Sequence, residues 1–272
     1  VRTRYRSVRQ SLGLTTRMSN DSSSAPGARR HRVLLVAEAA NPEWVSVPLV
    51  GWMCASALLR ATNGHLVTQV RNREAIVRAG LVEGTDFTAI DNEHVARPLN
   101  RLANVLRGGT DKGWTLKTAF SALAYYSFES AVWRMFGPAI AAGEFDLVHR
   151  ITPLTPTAPS FLARHCSDNG VPFIAGPLNG GLAWPEGFED RRKAEREWLS
   201  YVRPLYGLLP GYRSMRRHAT AMIAGSESTR AEISRDFTGT IFYLPENGID
   251  PARFATQRHR TASKPLRLCF VG

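Results

Sequence analysis

The chain has 272 residues, 43 % of them apolar, and a formal net charge of +12, which admits one large or two small globular domains. No run reaches the roughly 18 uninterrupted apolar residues of a membrane span, and no apolar core of a secretory leader is expected near the start. Cys54, Cys166 and Cys269 are odd in number and far apart, so neither a disulfide framework nor a metal site is expected, which fits a reducing cytoplasm.

The charge is uneven. Residues 1–32 hold eight arginines against one acid, Asp21, so +7 of the +12 sits there and +5 is spread over the rest. Residues 1–31 read as a disordered basic tail with an affinity for anionic surfaces. Met18, followed by a Ser/Asn/Gly-rich leader, is an alternative start of translation. From Arg32 the pattern changes. Arg32–Glu38 is an apolar run flanked by charge, which predicts a buried parallel strand. A loop from Asn41 to Pro48 leads into a helix over 49–61, with Gly51 and Trp52 in its first turn. Strands are predicted over 66–70 and 85–90, with a helix beginning at Asn72 between them. Helices over 93–107 and 114–142 follow. In the second, Phe120, Ala124, Phe128, Val132 and Phe136 share one stripe at helical spacing, the pattern of core packing.

A strand over 146–151 then opens onto a proline-rich loop, 152–159, and a helix to about 167. A strand over 171–176 is followed by the loop 177–185, a charged helix over 189–203 and a helix ending at His218. A strand over 220–225, a helix capped by Ser226 and a strand over 241–244 complete the series. This alternation predicts an α/β protein with a doubly wound, Rossmann-like parallel sheet. Ligands of such sheets bind at the carboxyl ends of the strands, so the loops at 41–52, 149–159, 176–187 and 225–227 are expected to line one crevice. Residues 265–272 read as a further buried strand running into Gly272. The expected division is a tail over 1–31, a domain over 32–250, and a linker with the first strand of a second domain over 251–272.

No Gly-x-Gly-x-x-Gly follows the first strand, and no P-loop or Gly-x-Ser-x-Gly elbow occurs. These absences count against a dehydrogenase, a P-loop ATPase and an α/β-hydrolase. No nucleic-acid module is recognisable, so no nucleic-acid partner is expected.

Six loop motifs occur in order. They are Asn41-Pro-Glu with Ser46 to Trp52, Asp146-Leu-Val-His149, Pro172 to Pro177 with Asn179-Gly-Gly181 and Pro185, Ala221 to Ser226, Pro245-Glu-Asn-Gly-Ile-Asp250, and Leu266 to Gly272. In this order they resemble the acceptor-side, amino-terminal domain of GT-B glycosyltransferases of family 4 (group 1) type, over residues 32–272. Val47 and Leu49 depart from the pattern, and Asn179 interrupts the Gly-Pro-x-Gly-Gly run.

The resemblance implies sugar transfer from a nucleotide-diphosphate donor to a glycan or lipid-linked acceptor, with retention, in polysaccharide biosynthesis and without a cofactor or metal. It also implies that the donor-binding residues lie in a second domain, so that this chain alone is inactive, and that contact with the membrane is peripheral, at its inner face. His149 is the candidate catalytic residue, able to hydrogen-bond a sugar hydroxyl or help form an alkoxide. Its bland alternative is a histidine satisfied by backbone. Gly51, Gly180 and Gly181 are candidates for close backbone approach to substrate. Trp52, with Trp184, is a candidate for stacking on a sugar face. Asn179 and Glu186 are further substrate-binding candidates. Asn247 and Gly248 form a turn that serves as the interdomain hinge in the family. The basic run Arg213, Arg216, Arg217 and His218, with Arg191 to Lys193, is either a solvated helix face or a surface for anionic lipid. A non-catalytic carbohydrate- or lipid-binding module and a GT-B sugar-nucleotide epimerase remain alternatives.

Overall fold

A computed structural model of the chain describes residues 29–93, 114–180, 207 and 209–248; over 114–123 it describes the backbone alone. The elements in order are β1 (Arg32–Ala37), α1 (Val47–Ala61), β2 (Asn63–Gln69), a 3-10 turn (Val70–Asn72), α2 (Arg73–Arg78), β3 (Phe87–Ile90) and α3 (Trp114–Ala141). They continue with β4 (Leu147–Thr152), α4 (Leu162–Asp168), β5 (Phe173–Leu178), α5 (Tyr212–His218), β6 (Ala221–Ala224), α6 (Glu227–Ile233) and β7 (Thr240–Tyr243). The strands form one seven-stranded sheet of order β3-β2-β1-β4-β5-β6-β7, and every neighbouring pair is parallel. The protein is therefore α/β with a Rossmann-like, doubly wound sheet.

The strand sequences account for this. In β1, Leu34 and Val36 enter one core while Val33, Leu35 and Ala37 enter the other, and all five are buried. A strand buried on both faces loses the polar alternation of a half-exposed one, so it reads as a continuous apolar run. Right-handed crossovers fix the faces. The chain runs leftward from β1 to β2, which places α1 on one face. It runs rightward through β4, β5 and β6, which places α3 to α6 on the other. Accordingly Ala55 of α1 belongs to the core of Leu35, and Phe128, Leu162, Met215 and Ile233 belong to the core of Leu34. From Ala124 onward the stripe of α3 is core, with Phe128, Val132 and Phe136 fully buried, each burial contributing about 2 kcal/mol; the Phe120 side chain lies outside the described residues.

Four details differ from the sequence reading. First, β2 begins at Asn63 because Asn63 to His65 pair with Arg32 to Leu34. His65 breaks the apolar pattern yet is buried, with its Nδ1 donating to the Thr85 carbonyl and its Nε2 accepting from the Thr88 hydroxyl. Second, β5 continues through Pro177 to Leu178. Proline has no N–H for a ladder, and the β5–β6 register shifts between Ala175 and Leu178, so Pro177 sits where pairing is interrupted. Third, Arg216 does not share an exposed basic face with Arg213 and Arg217, because it is buried. Gly51 also lies at the fifth position of α1, since the helix begins at Val47.

Residues 1–28 of the tail, 94–107 of the helix predicted at 93–107, the helix predicted at 189–203 with Arg191 to Lys193, and the strand predicted over 265–272 lie outside the described residues. Among the described residues no helix is long and apolar enough to cross a membrane.

Candidate functional site

The strand order reverses at β1, which neighbours both β2 and β4. A crevice forms outside the carboxyl ends of strands at such a switch point, because the two following loops diverge to opposite faces. Thr152, at the end of β4, closes its floor: its Oγ1 accepts from the Ala39 N–H at 3.0 Å and donates to the Ala39 carbonyl at 3.3 Å. Gly51 packs α1 onto the same spot, where an added Cβ would collide with the Ala39 carbonyl and lie 2.9 Å from Thr152 Cγ2. The close approach Gly51 permits is therefore of helix to loop. Asn41 holds the first loop, with its N–H on the Pro48 carbonyl at 2.8 Å and its Oδ1 accepting from the Glu43 N–H at 2.9 Å. Ser46, just before α1, has a φ of 63°, a left-handed conformation costly for a residue with a side chain.

The loop from Pro153 to Phe161 is pinned from beneath by charged side chains: Arg150 and Glu129, which sequence reasoning missed, and Arg216, which it assigned to an exposed basic face. Arg150 is fully buried, and its Nη1 donates to the carbonyls of Ala158 at 3.0 Å and Pro159 at 3.5 Å. Arg216, from α5, donates through Nη2 to the Pro156 carbonyl at 3.3 Å. Glu129, from α3, accepts from the Ser160 hydroxyl, from the Phe161 N–H at 2.6 Å and from the Tyr125 hydroxyl at 3.2 Å. Burial pushes the Glu129 carboxyl above its usual range, against the lowering effect of these donors and of Arg150. Burial likewise drives the Tyr125 hydroxyl well upward, with the nearby Glu129 charge adding to the shift. Arg150 Nε and Nη2 have no hydrogen-bond partner. One signal was available: an arginine inside Leu-Val-His-Arg-Ile-Thr and a glutamate inside an apolar helix are each too costly to bury without partners.

Asn179 joins the remaining loops. Its N–H donates to the Leu154 carbonyl at 2.7 Å and its Nδ2 to Glu246 at 2.7 Å, while its Oδ1 accepts from the Ser226 hydroxyl at 3.0 Å and the Gly180 N–H at 2.9 Å. The ends of β4, β5, β6 and β7 thus meet at one residue, β4 through the Asn179 backbone N–H and the others through its carboxamide. Gly180 follows with a φ of 123°, and an added Cβ there would lie 3.9 Å from Pro156 Cδ. Ser226 caps α6 as expected, accepting from the Thr229 N–H.

His149 lies within β4 and is buried, with its Nε2 donating to the Gly176 carbonyl at 2.7 Å. Burial holds it neutral, with a pKa lowered from 6.5 to about 4. Trp52 is partly buried against the α1-side core. Asn247 and Gly248 are exposed, and an added Cβ on Gly248 would sit 3.5 Å from Met53 of α1. Gly181, Trp184 and Glu186 lie outside the described residues. The structure thus brings Gly51, Asn179, Gly180, Asn247 and Gly248 to the carboxyl edge, and sets His149 below it. Asp146 stands at the opposite, amino edge. There the Arg32 N–H and Nη2 hold its carboxyl low, at about 2.

Glu38, at the end of β1, pairs with Arg71 Nη2 at 2.6 Å, and burial raises its carboxyl despite that partner. Burial raises the thiols of Cys54 to about 11 and Cys166 to about 12, so neither is a thiolate at neutral pH. Among the described residues no three His, Cys, Asp or Glu side chains gather to hold a metal ion. No family model matches the chain, and no curated protein matches it.

Proposed function

We propose that the chain forms the acceptor side of a GT-B glycosyltransferase of family 4 type, which moves a sugar from a nucleotide-diphosphate donor to a glycan or lipid-linked acceptor. The observation that carries this reading is spatial. The loops after β1, β4, β5, β6 and β7, scattered from Asn41 to Gly248 in sequence, meet at the carboxyl edge of the sheet, tied by Thr152 to Ala39 and by Asn179 to Leu154, Ser226 and Glu246. Transfer between two bound substrates demands that the acceptor hydroxyl be held in fixed geometry. A loop pinned by Arg150, Arg216 and Glu129 supplies that rigidity.

In this reading His149 is a positioning residue. It is neutral at pH 7 and orients the Gly176–Pro177 end of β5 that precedes Asn179. The donor is gripped by residues of a further domain, joined through Asn247 and Gly248. Retention of configuration and a peripheral location at the inner face of the membrane belong to the same proposal.

The test is to disrupt the gene in the organism that carries it and to compare its polysaccharides and lipid-linked oligosaccharides by mass spectrometry. Accumulation of one acceptor short by a single sugar is expected. An unchanged profile of every glycan would sink the reading.

A further inference from the structure

A cavity of about 270 Å³ opens between the loop after β1 and the start of α2, lined by Asn41, Glu43, Trp44, Arg71, Arg73 and Arg78. We propose that it is a binding site for one neutral pyranosyl unit. It lies at the carboxyl ends of β1 and β2, on the rim of the crevice, where ligands of such sheets bind. Its size is below the roughly 300 Å³ at which drug-sized pockets begin, so it holds one ring.

The lining chemistry selects the ligand. Trp44 is 45 % exposed, and among the described residues it has no stacking partner. An accessible indole is a platform for the C–H face of a sugar ring. The three guanidinium groups suggest an anion, but each is already matched. Arg71 pairs with Glu38 at 2.6 Å, Arg73 with Glu83 at 2.5 Å, and Arg78 with Glu43 through two bonds of 2.7 and 2.9 Å. Glu74, also in the lining, adds a further negative charge. No surplus positive charge is left to favour a phosphate. What remains is a set of N–H donors and carboxylate lone pairs, fixed in orientation by their own pairing. Neighbouring ring hydroxyls, each both donor and acceptor, complement such a set.

The site is also formed in advance. Asn41 is buried, with its Nδ2 on Asn72 Oδ1 at 3.4 Å, and Asn72 in turn donates to the Glu38 carbonyl at 2.8 Å. The loop carrying Trp44 is thus tied to the ends of β1 and β2, and binding need not order it. That the bound ring is the acceptor's own sugar rests on the glycosyltransferase reading; that the cavity binds a sugar does not.

The experiment uses the full 272-residue chain. Methyl glycosides of glucose, galactose and mannose are titrated by saturation-transfer NMR and tryptophan fluorescence, with inorganic phosphate as the anionic control. Saturable binding of at least one glycoside is expected, with a Kd on the order of 1 mM. It should weaken roughly tenfold or more in Trp44→Ala and in Arg78→Ala, both exposed positions, while the far-ultraviolet circular dichroism stays unchanged. Phosphate should not displace the sugar. The proposal is overturned if no glycoside saturates, if phosphate competes, or if both variants bind as the parent does. No nucleotide sugar is present, so the result stands apart from whether the protein transfers one.

Discussion

His149 shows how one buried side chain couples the fold to pH. Its pKa falls from 6.5 in the unfolded chain to about 4 in the folded one, chiefly because burial disfavours the charged ring. Between those values the unfolded chain binds a proton that the folded chain does not. Stability from this residue is therefore complete above pH 6.5 and is lost as pH falls toward 4, by about 3 kcal/mol. Urea midpoints measured from pH 7 to pH 4 should decline less steeply in His149→Gln than in the parent protein. Part of the slope should survive, because burial also lowers the pKa of His65. Equal slopes in the two proteins would show that His149 is not buried neutral. Glu129 works with the opposite sign. Its carboxyl is raised by burial, so its contribution is greatest at low pH and declines as pH rises past the ordinary glutamate value of 4.5.

At the scale of elements, the loop after β4 depends on side chains from three others. Arg150 comes from β4 itself, Arg216 from α5 and Glu129 from α3. Truncation of Arg150 to Ala removes the donor to Ala158 and Pro159 and leaves Glu129 buried without its nearby positive charge. Removing a fully buried side chain and orphaning the carbonyls it satisfies costs about 2–5 kcal/mol. Chemical denaturation should show a loss of that order in Arg150→Ala, and a smaller one in Arg150→Met, which keeps most of the volume. A loss below about 1 kcal/mol in Arg150→Ala would mean that the loop is held by its backbone alone.

At the scale of the whole molecule, the sheet sets a gradient of protection. β1 and β4 are central and almost entirely buried, whereas β7 is an edge strand whose Phe242 and Tyr243 are 55 % and 47 % exposed. Local opening is easiest where few apolar contacts are lost. Amide hydrogen exchange should be slowest in β1 and β4 and fastest in β7. Equal protection across all seven strands would contradict the gradient. The crevice sits over the protected centre of this gradient, which suits a site that must keep its geometry.

The doubly wound sheet was legible in the sequence because it follows from local pattern. Arg32 to Ala37 reads as a strand covered on both faces, the stripe of α3 reads as core, and alternation of the two periods leaves the parallel sheet as the economical arrangement. The meeting of the loops at the carboxyl edge was legible too, since those loops must follow the strands. Tertiary structure alone decided which polar residues are interior. Nothing local distinguishes Arg216 from Arg213 and Arg217, and Arg150 is accommodated only because the carbonyls of Ala158 and Pro159 arrive above it. The Trp44 cavity likewise needs Glu43 and Arg78, thirty-five residues apart, to meet. Sequence period reports the burial of apolar surface, which is additive and local. The position of a buried charge depends on partners from distant segments, and only the folded chain brings them together.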